Sequence, residues 1–249
     1  MAKTQDWGTI GTIASILGFL ASIIMIFFTD FKVAALVSLL VAETAIVGVV
    51  WFYAKRRASL SHPFEREDIL NHVCYRFESL TKISYEVTEI FRVTQSHLDN
   101  VAIELTWSGR GKVHVETCLH KGEIQPIVDG QTGKIQFSLP LTEPKRFGDT
   151  AMTHYRLELE DEGHQNVPQL SKNVKRPCQM VIFEVQLNFL QNCSDAKLTW
   201  RERDDSELGQ PHFIKNVPFD KASKTFRVAI TDVCVGRKYQ LRWEPSESA

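Results

Sequence analysis

The sequence predicts an N-terminal transmembrane helical hairpin followed by a mainly-β soluble domain, with an antiparallel β-sandwich as first choice and a barrel second. Three observations predict it. Two apolar stretches, Ile10 to Phe28 and Val33 to Tyr53, flank the four residues Thr29-Asp30-Phe31-Lys32. Each is about 20 residues long, the length that spans a bilayer core as a helix. From Lys82 onward the apolar residues recur with period two, the strand signal, and no helical periodicity follows. The organisation expected is a hairpin over 1–57, a juxtamembrane connector over 58–81 and a cytosolic β-sandwich over 82–249.

The hairpin takes its orientation from its flanks. Lys55, Arg56 and Arg57 follow the second stretch, Lys3 precedes the first, and the connecting loop carries Lys32 beside Asp30. The positive-inside rule places both termini in the cytoplasm and the connecting loop outside, as a two-span protein. Trp7, Trp51 and Tyr53 fall where interfacial aromatic belts sit. The first stretch is too long for a signal peptide and lacks a small-residue cleavage site. Small residues recur at helical spacing: Gly11, Ala14, Gly18 and Ala21 in the first stretch, Ala35, Ser38, Ala42 and Ala45 in the second. Such stripes let helices approach closely in lipid, within one hairpin or between copies in a homo-oligomer. Glu43 lies at mid-stretch, where an acid is costly. It either hydrogen-bonds Thr12, Ser15 or Ser22, or lines an oligomeric contact or a watery path.

The remainder is an ordinary mixed-charge domain. Of the chain's 29 Lys/Arg and 30 Asp/Glu, only five and three fall in residues 1–62. The large part is thus slightly acidic and lacks the basic excess of a general nucleic-acid binder. Its five cysteines, Cys74, Cys118, Cys178, Cys193 and Cys234, are widely spaced and odd in number, which fits reduced thiols better than a disulfide framework. Asn192-Cys193-Ser194 is a glycosylation tripeptide of the kind that arises by chance.

Along the chain, Phe64 to His72 suggests one short helix. Ile83, Tyr85 and Val87 alternate, with a shift of phase at Ile90-Phe91 before Val93. Val101 to Trp107, Val113 to Leu119, Ile135 to Leu141, Tyr155 to Leu159, Val181 to Phe189, Leu198-Thr199-Trp200, Phe226 to Ile230 and Tyr239 to Trp243 complete about nine strands. Ser108-Gly109-Arg110-Gly111, Asp129-Gly130 and Thr132-Gly133 read as turns. Residues 164–178, with Pro168 and Pro177, read as a long loop.

Candidate chemistry is sparse. His114, Glu116, Cys118 and His120 are metal-ligating types on one strand face, but strand alternation spaces them about 7 Å apart. Gly109-Arg110-Gly111-Lys112 lacks the helix that follows a phosphate cradle. Lys172, Lys175 and Arg176, with Lys145 and Arg146, would meet an anionic ligand or simply be solvated. Glu160-Asp161-Glu162 and Asp204-Asp205 read as solvated strand tips. No nucleophile–base signature or zinc-protease motif is present. The chain is expected to be neither an enzyme nor a cofactor carrier.

The hairpin Ile10–Tyr53, the basic stop Lys55-Arg56-Arg57 and the strand series together resemble the two-transmembrane, β-strand-rich effectors of bacterial anti-phage systems. Trp107-Ser108-Gly109, the strand end Leu139-Pro140-Leu141 and the closing Gly236-x-x-Tyr239-x-Leu241-x-Trp243 resemble a β-sandwich module of bacterial conflict proteins. The resemblance implies abortive infection: a trigger sensed by the β-domain changes hairpin assembly, and the inner membrane loses integrity. The implied partners are the lipid bilayer, further copies of the chain and, in a retron, a reverse transcriptase with its RNA–DNA product. In the signalling version a cyclic oligonucleotide binds the β-domain. The competing expectation is a non-toxic, membrane-tethered binding module.

Overall fold

A computed structural model describes residues 31–79, 81–109, 111–117, 119, 124–161, 166–188, 193–202 and 210–244. The chain divides into two compact units, Met1–Ser61 and His62–Ala249.

The described part of the first unit is one helix, α1 (Phe31–Ser61). Among the described residues no helix is long and apolar enough to cross a membrane. That finding corrects the transmembrane hairpin and, with it, the two-span inner-membrane location. The helix also departs from the expected span at both ends. Phe31 and Lys32, expected in the connecting loop, form its first turn, and it continues beyond Lys55-Arg56-Arg57 to Ser61. Glu43 and Thr44 interrupt its apolar run at the middle, where the Thr44 hydroxyl donates back to the Leu40 carbonyl at 2.7 Å. Ala35, Ala42 and Glu43 are exposed and Ser38 is half-buried. Gly11 and Gly18 lie outside the described residues, as do the side chains of Lys55, Arg56 and Arg57.

The second unit is built from strands. A six-stranded sheet runs β12 (Thr225–Ile230), β9 (Cys178–Leu187), β1 (Arg66–Phe77), β2 (Lys82–Val93), β7 (Thr150–Glu160), β4 (Val113–Glu116). A four-stranded sheet runs β11 (His212–Val217), β10 (Ala196–Glu202), β13 (Arg237–Arg242), β8 (Gln169–Asn173). A third runs β3 (Leu98–Thr106), β6 (Lys134–Lys145), β5 (Ile127–Asp129). Pairing is antiparallel except between β1 and β9, which are parallel.

Alternation builds the core. Val73, Tyr75 and Phe77 of β1 share a face with Val181, Phe183, Val185 and Leu187 of β9 and with Tyr155, Leu157 and Leu159 of β7. Both smaller sheets pack on that face. Phe137 of β6 meets Tyr155 edge-on at 5.2 Å, and Trp243, just after β13, meets Phe77 at 5.9 Å and Tyr75 at 6.4 Å. The covering layer is thus made of two sheets, and β3 and β8 are its two inner edges. Among the described residues β3 pairs with β6 alone and β8 with β13 alone.

Two expectations change here. Phe64 to His72 is not a helix: Arg66–Phe77 is a central strand, paired on both sides. Its alternation is hidden by a bulge between Asp68 and Leu70, which turns Arg66 and Asp68 inward along with Asn71. The apparent shift of phase at Ile90-Phe91 is absent. Ile83, Val87, Glu89, Phe91 and Val93 are all buried at period two, with a carboxylate holding one core position.

Candidate functional site: a cleft over a buried ion-pair cluster

The gap between β3 and β8 is a cleft of about 450 Å³. One wall is the run Ala102–Ser108 and the other the run Gln169–Arg176. Its floor is the large sheet, presenting Asp68, Tyr75, Tyr85, Glu89 and Tyr155.

Glu89 is the centre of that floor, and its side chain is 2% exposed. Arg66 Nη2 donates to one carboxylate oxygen at 2.8 Å. Asn71 Nδ2 at 2.8 Å and Lys172 Nζ at 2.9 Å donate to the other. The Arg176 guanidinium lies 3.9 Å away and gives its Nε–H to both oxygens of Asp68, at 3.0 and 3.1 Å. Arg66 is wholly buried, stacked 4.5 Å over the Phe91 ring, with Nε 3.6 Å from Asp68. Burial pushes the Glu89 carboxyl up, but Lys172, Arg66 and Arg176 outweigh it and hold it below the usual carboxylate range. Burial and then the Glu89 charge push Asp68 the other way, above its usual value. Burial lowers Arg66, against the pull of Glu89.

This cluster has unspent capacity, and nearly all of it is on the donor side. Three cations, Arg66, Lys172 and Arg176, face three carboxylates, Glu89, Asp68 and, 3.9 Å from Arg176, Glu65. Arg66 Nε and Nη1 are buried without a hydrogen-bond acceptor. The same holds for the Trp107 indole N–H and for Asn166 Nδ2, on residues that line the cleft. Trp107 Nε1 is within electrostatic reach of the Tyr75 hydroxyl but short of hydrogen-bond geometry. An unpaired buried donor costs about 1–3 kcal/mol.

Trp107 is held by glycines that the turn pattern had flagged. Trp107 N donates to the Gly133 carbonyl at 2.9 Å. Gly133 has φ +65, and a Cβ there would lie 2.1 Å from the Trp107 carbonyl oxygen. A Cβ on Gly109 would lie 2.4 Å from the indole ring. Asp129 shapes the intervening turn by accepting from Gln131 N at 3.0 Å and Thr132 Oγ1 at 2.6 Å.

The walls are bridged where Ser108 Oγ donates to Asn166 Oδ1 at 3.3 Å and accepts from Val167 N at 3.1 Å. Tyr75 also donates to Asn166 Oδ1, at 2.9 Å. Further along, Lys175 and Glu104 reach across from opposite walls to 3.3 Å. Cys178, at the edge of the floor, donates to the Met180 carbonyl at 3.3 Å, and burial raises its thiol to about 11, so it is not a thiolate nucleophile.

The other sequence candidates are dispersed. Lys172, Lys175 and Arg176 meet at the cleft, while Lys145 pairs with Glu143 and Arg146 lies in the turn closed by Asp149. His114 and Glu116 lie on β4, and Cys118 and His120 fall outside the described residues. Among the described residues no cluster of metal ligands occurs. Asp161, expected as a solvated tip, is buried and accepts from Asn166 N at 2.7 Å. Asp204 and Asp205 lie outside the described residues, and so does Arg110 of the glycine turn. Cys74, Cys178 and Cys234 are free thiols. Glu89, Asp68 and Arg66 were missed in the sequence. The one signal was the interruption of the β2 alternation by Glu89.

No protein-family model matches the chain, and no curated protein matches it. Among solved structures, the chain is similar to an M1 zinc metallopeptidase from Deinococcus radiodurans. The identity is 11% and the TM-score 0.37, over 72% of this chain and 42% of that one. It is similar also to a putative protease from Parabacteroides distasonis, at 8% and 0.36, over 74% and 36%. Baculovirus P35 matches at 9% and 0.35, over 72% and 97%. The chain therefore spans less than half the length of the two peptidases. Similarity at this level carries no argument about activity.

Proposed function

We propose that the His62–Ala249 unit is a recognition module whose ligand sits in the β3–β8 cleft. One observation carries this reading: a cleft of about 450 Å³ lies over carboxylates that are saturated by cations. Glu89 and Asp68 are locked to cations and offer no free base, and the Cys178 thiol is protonated. A site so arranged binds rather than transforms. This keeps the β-domain as a receiver, which the likeness to anti-phage effectors also implied, and drops the membrane-disrupting hairpin. It does not favour a cyclic oligonucleotide. The cleft-lining Lys172, Lys175 and Arg176 each already face a carboxylate, as multiple phosphates would not find them.

The test is thermal unfolding of the full chain against a panel of nucleotides, amino-acid derivatives and short peptides, with Ala102→Trp as the blocked cleft. Ala102 is an exposed residue of the cleft wall, so the bulky ring fills space without touching the core. A ligand at 100 times its Kd stabilises by about 2.7 kcal/mol. The reading expects at least one panel member to raise Tm in the wild type and not in Ala102→Trp. Equal shifts in both proteins, or none in either, contradict it.

A further inference from the structure

The four-stranded sheet turns one face to the core, and its other face carries an arrangement that sheets ordinarily avoid. Along β10 the outward positions are Lys197, Thr199 and Arg201, and along β13 they are Lys238, Gln240 and Arg242. The residues between them, among them Leu198, Tyr239 and Leu241, point into the core. The antiparallel register sets Lys197 directly opposite Arg242, and Arg201 directly opposite Lys238. Like charges so placed destabilise a sheet. The flanking strands bring no carboxylate to these rows: β11 contributes Asn216 and Phe213, and β8 contributes Gln169, Ser171 and Asn173. Among the described residues Lys197, Arg201 and Arg242 take part in no ion pair. The next same-side carboxylates, Asp195 and Glu244, lie beyond the ends of the two strands and mark where the basic face stops.

The spacing selects a polyanion. The two cation pairs stand four residues apart along the strands, about 13 Å, farther than one phosphate or carboxylate bridges. Between them runs a neutral row, Thr199 and Gln240, that ends at Phe213 on the edge strand β11, a residue 61% exposed. A single nucleic-acid strand uses both features: its phosphates meet the cations, and an unstacked base lies on the ring. An acidic polypeptide uses the charges and leaves the ring idle, so the exposed aromatic between two cation rows favours nucleic acid. The chain's net charge of −1 supplies no general attraction, so binding depends on this face alone. We infer that the outward face of the β8–β13–β10–β11 sheet binds single-stranded nucleic acid, with phosphates at Lys197, Arg242 and Arg201 and a base on Phe213. This goes beyond the cleft reading and does not depend on it, although β8 borders both.

The experiment titrates the full chain against a fluorescein-labelled twelve-nucleotide oligothymidylate, read by anisotropy across a salt series. Each neutralised phosphate of a single strand adds about 0.7 to the slope of log Kd on log salt. The wild type is expected to bind at low salt with a slope of about 2, as three neutralised phosphates give. The double variant Lys197→Gln/Arg242→Gln is expected to raise Kd at least tenfold and to lower the slope by about 1.4. Phe213→Ala is expected to raise Kd at least fivefold at an unchanged slope, since stacking involves no counterion. Lys221→Gln, at an exposed lysine in the turn before β12, is expected to change neither. The double variant removes a like-charge pair, so without ligand its Tm is expected to match or exceed that of the wild type. If its Tm falls, Arg201→Gln takes its place, with half the change in slope. No binding at low salt overturns the inference, and so does a slope that the charge variants leave unaltered. A twelve-residue oligoglutamate bound as tightly as the oligothymidylate, with Phe213→Ala neutral, marks an acidic protein partner and overturns it too. Binding abolished by Ala102→Trp while the face variants are neutral puts the strand in the cleft, which leaves the recognition reading standing and overturns this one.

Discussion

Two carboxylates, one in each unit, show how differently the same side chain is treated. Glu43 sits midway along α1 and is exposed, surrounded on the helix by exposed Leu40, Ile46 and Val47. Glu89 sits midway along β2, buried, with three donors within 2.9 Å. An exposed acid on a helix can be lost without leaving a buried partner unpaired. A buried one cannot, because it would leave the wholly buried Arg66 guanidinium without its carboxylate and Asn71 and Lys172 without their acceptor. The same contrast runs through the glycines. Gly48 of α1 has open space where a Cβ would go, whereas Gly133 would drive a Cβ into the Trp107 carbonyl.

The largest expected effect that sharpens this contrast is Glu89→Gln. It strands Arg66 and Lys172 in the interior, and the His62–Ala249 unit is expected to lose about 3–5 kcal/mol in urea unfolding. Glu43→Gln is expected to leave that transition where it is. Equal effects would break the comparison. Next comes Gly133→Ala, which forces a side chain into the left-handed region against a backbone oxygen. It is expected to cost at least about 1–2 kcal/mol and to change the Trp107 fluorescence environment. Gly48→Ala is expected to raise the helicity of α1, gaining about 0.8–1 kcal/mol. The smallest effect is that of Lys175→Ala, within the 0.2–1 kcal/mol span of an exposed pair, read from the same urea midpoints.

The acid limb of stability gives a further separation. The folded-state pKa of Glu89 lies below its ordinary value of 4.5. Its contribution is therefore present above about pH 4.5 and lost as pH falls through the lower folded value. Asp68 is raised in the folded state, so acidification works in its favour and partly offsets that loss. Urea midpoints measured from pH 6 down to 3 are expected to fall for the wild type, more steeply for Asp68→Asn and less for Glu89→Gln. Three parallel curves would show that the cluster does not govern this limb.

Strands with apolar inward positions were legible in the sequence: β9, β12 and β13 alternate openly, and Trp107-Ser108-Gly109 and Thr132-Gly133 marked the glycine clamp. β1 was not, because three of its inward positions are Arg66, Asp68 and Asn71 and a bulge breaks its period. The short β8 hid in a stretch flanked by Pro168 and Pro177, its one buried apolar residue being Leu170. The site was missed for the same reason. A carboxylate at an inward position reads as an interruption of the strand, and only its long-range partners, Lys172 and Arg176, reveal it as part of the core. In α1 the error ran the other way. An apolar run set against a basic stop was given a role from composition, and an acid in it acquired meaning from a membrane that the described helix is not long and apolar enough to cross.

The most direct test of the account is amide hydrogen exchange on the full chain with and without, at saturation, the panel member that raises Tm in the wild type and not in Ala102→Trp. In the free protein the edge amides of β3 and β8 should exchange faster than those of the central strands β1 and β9. On binding, the account predicts new protection within 102–106 and 170–173, with β11 and β4 unchanged. Protection confined to any other strand, or binding without protection of either edge, would contradict it.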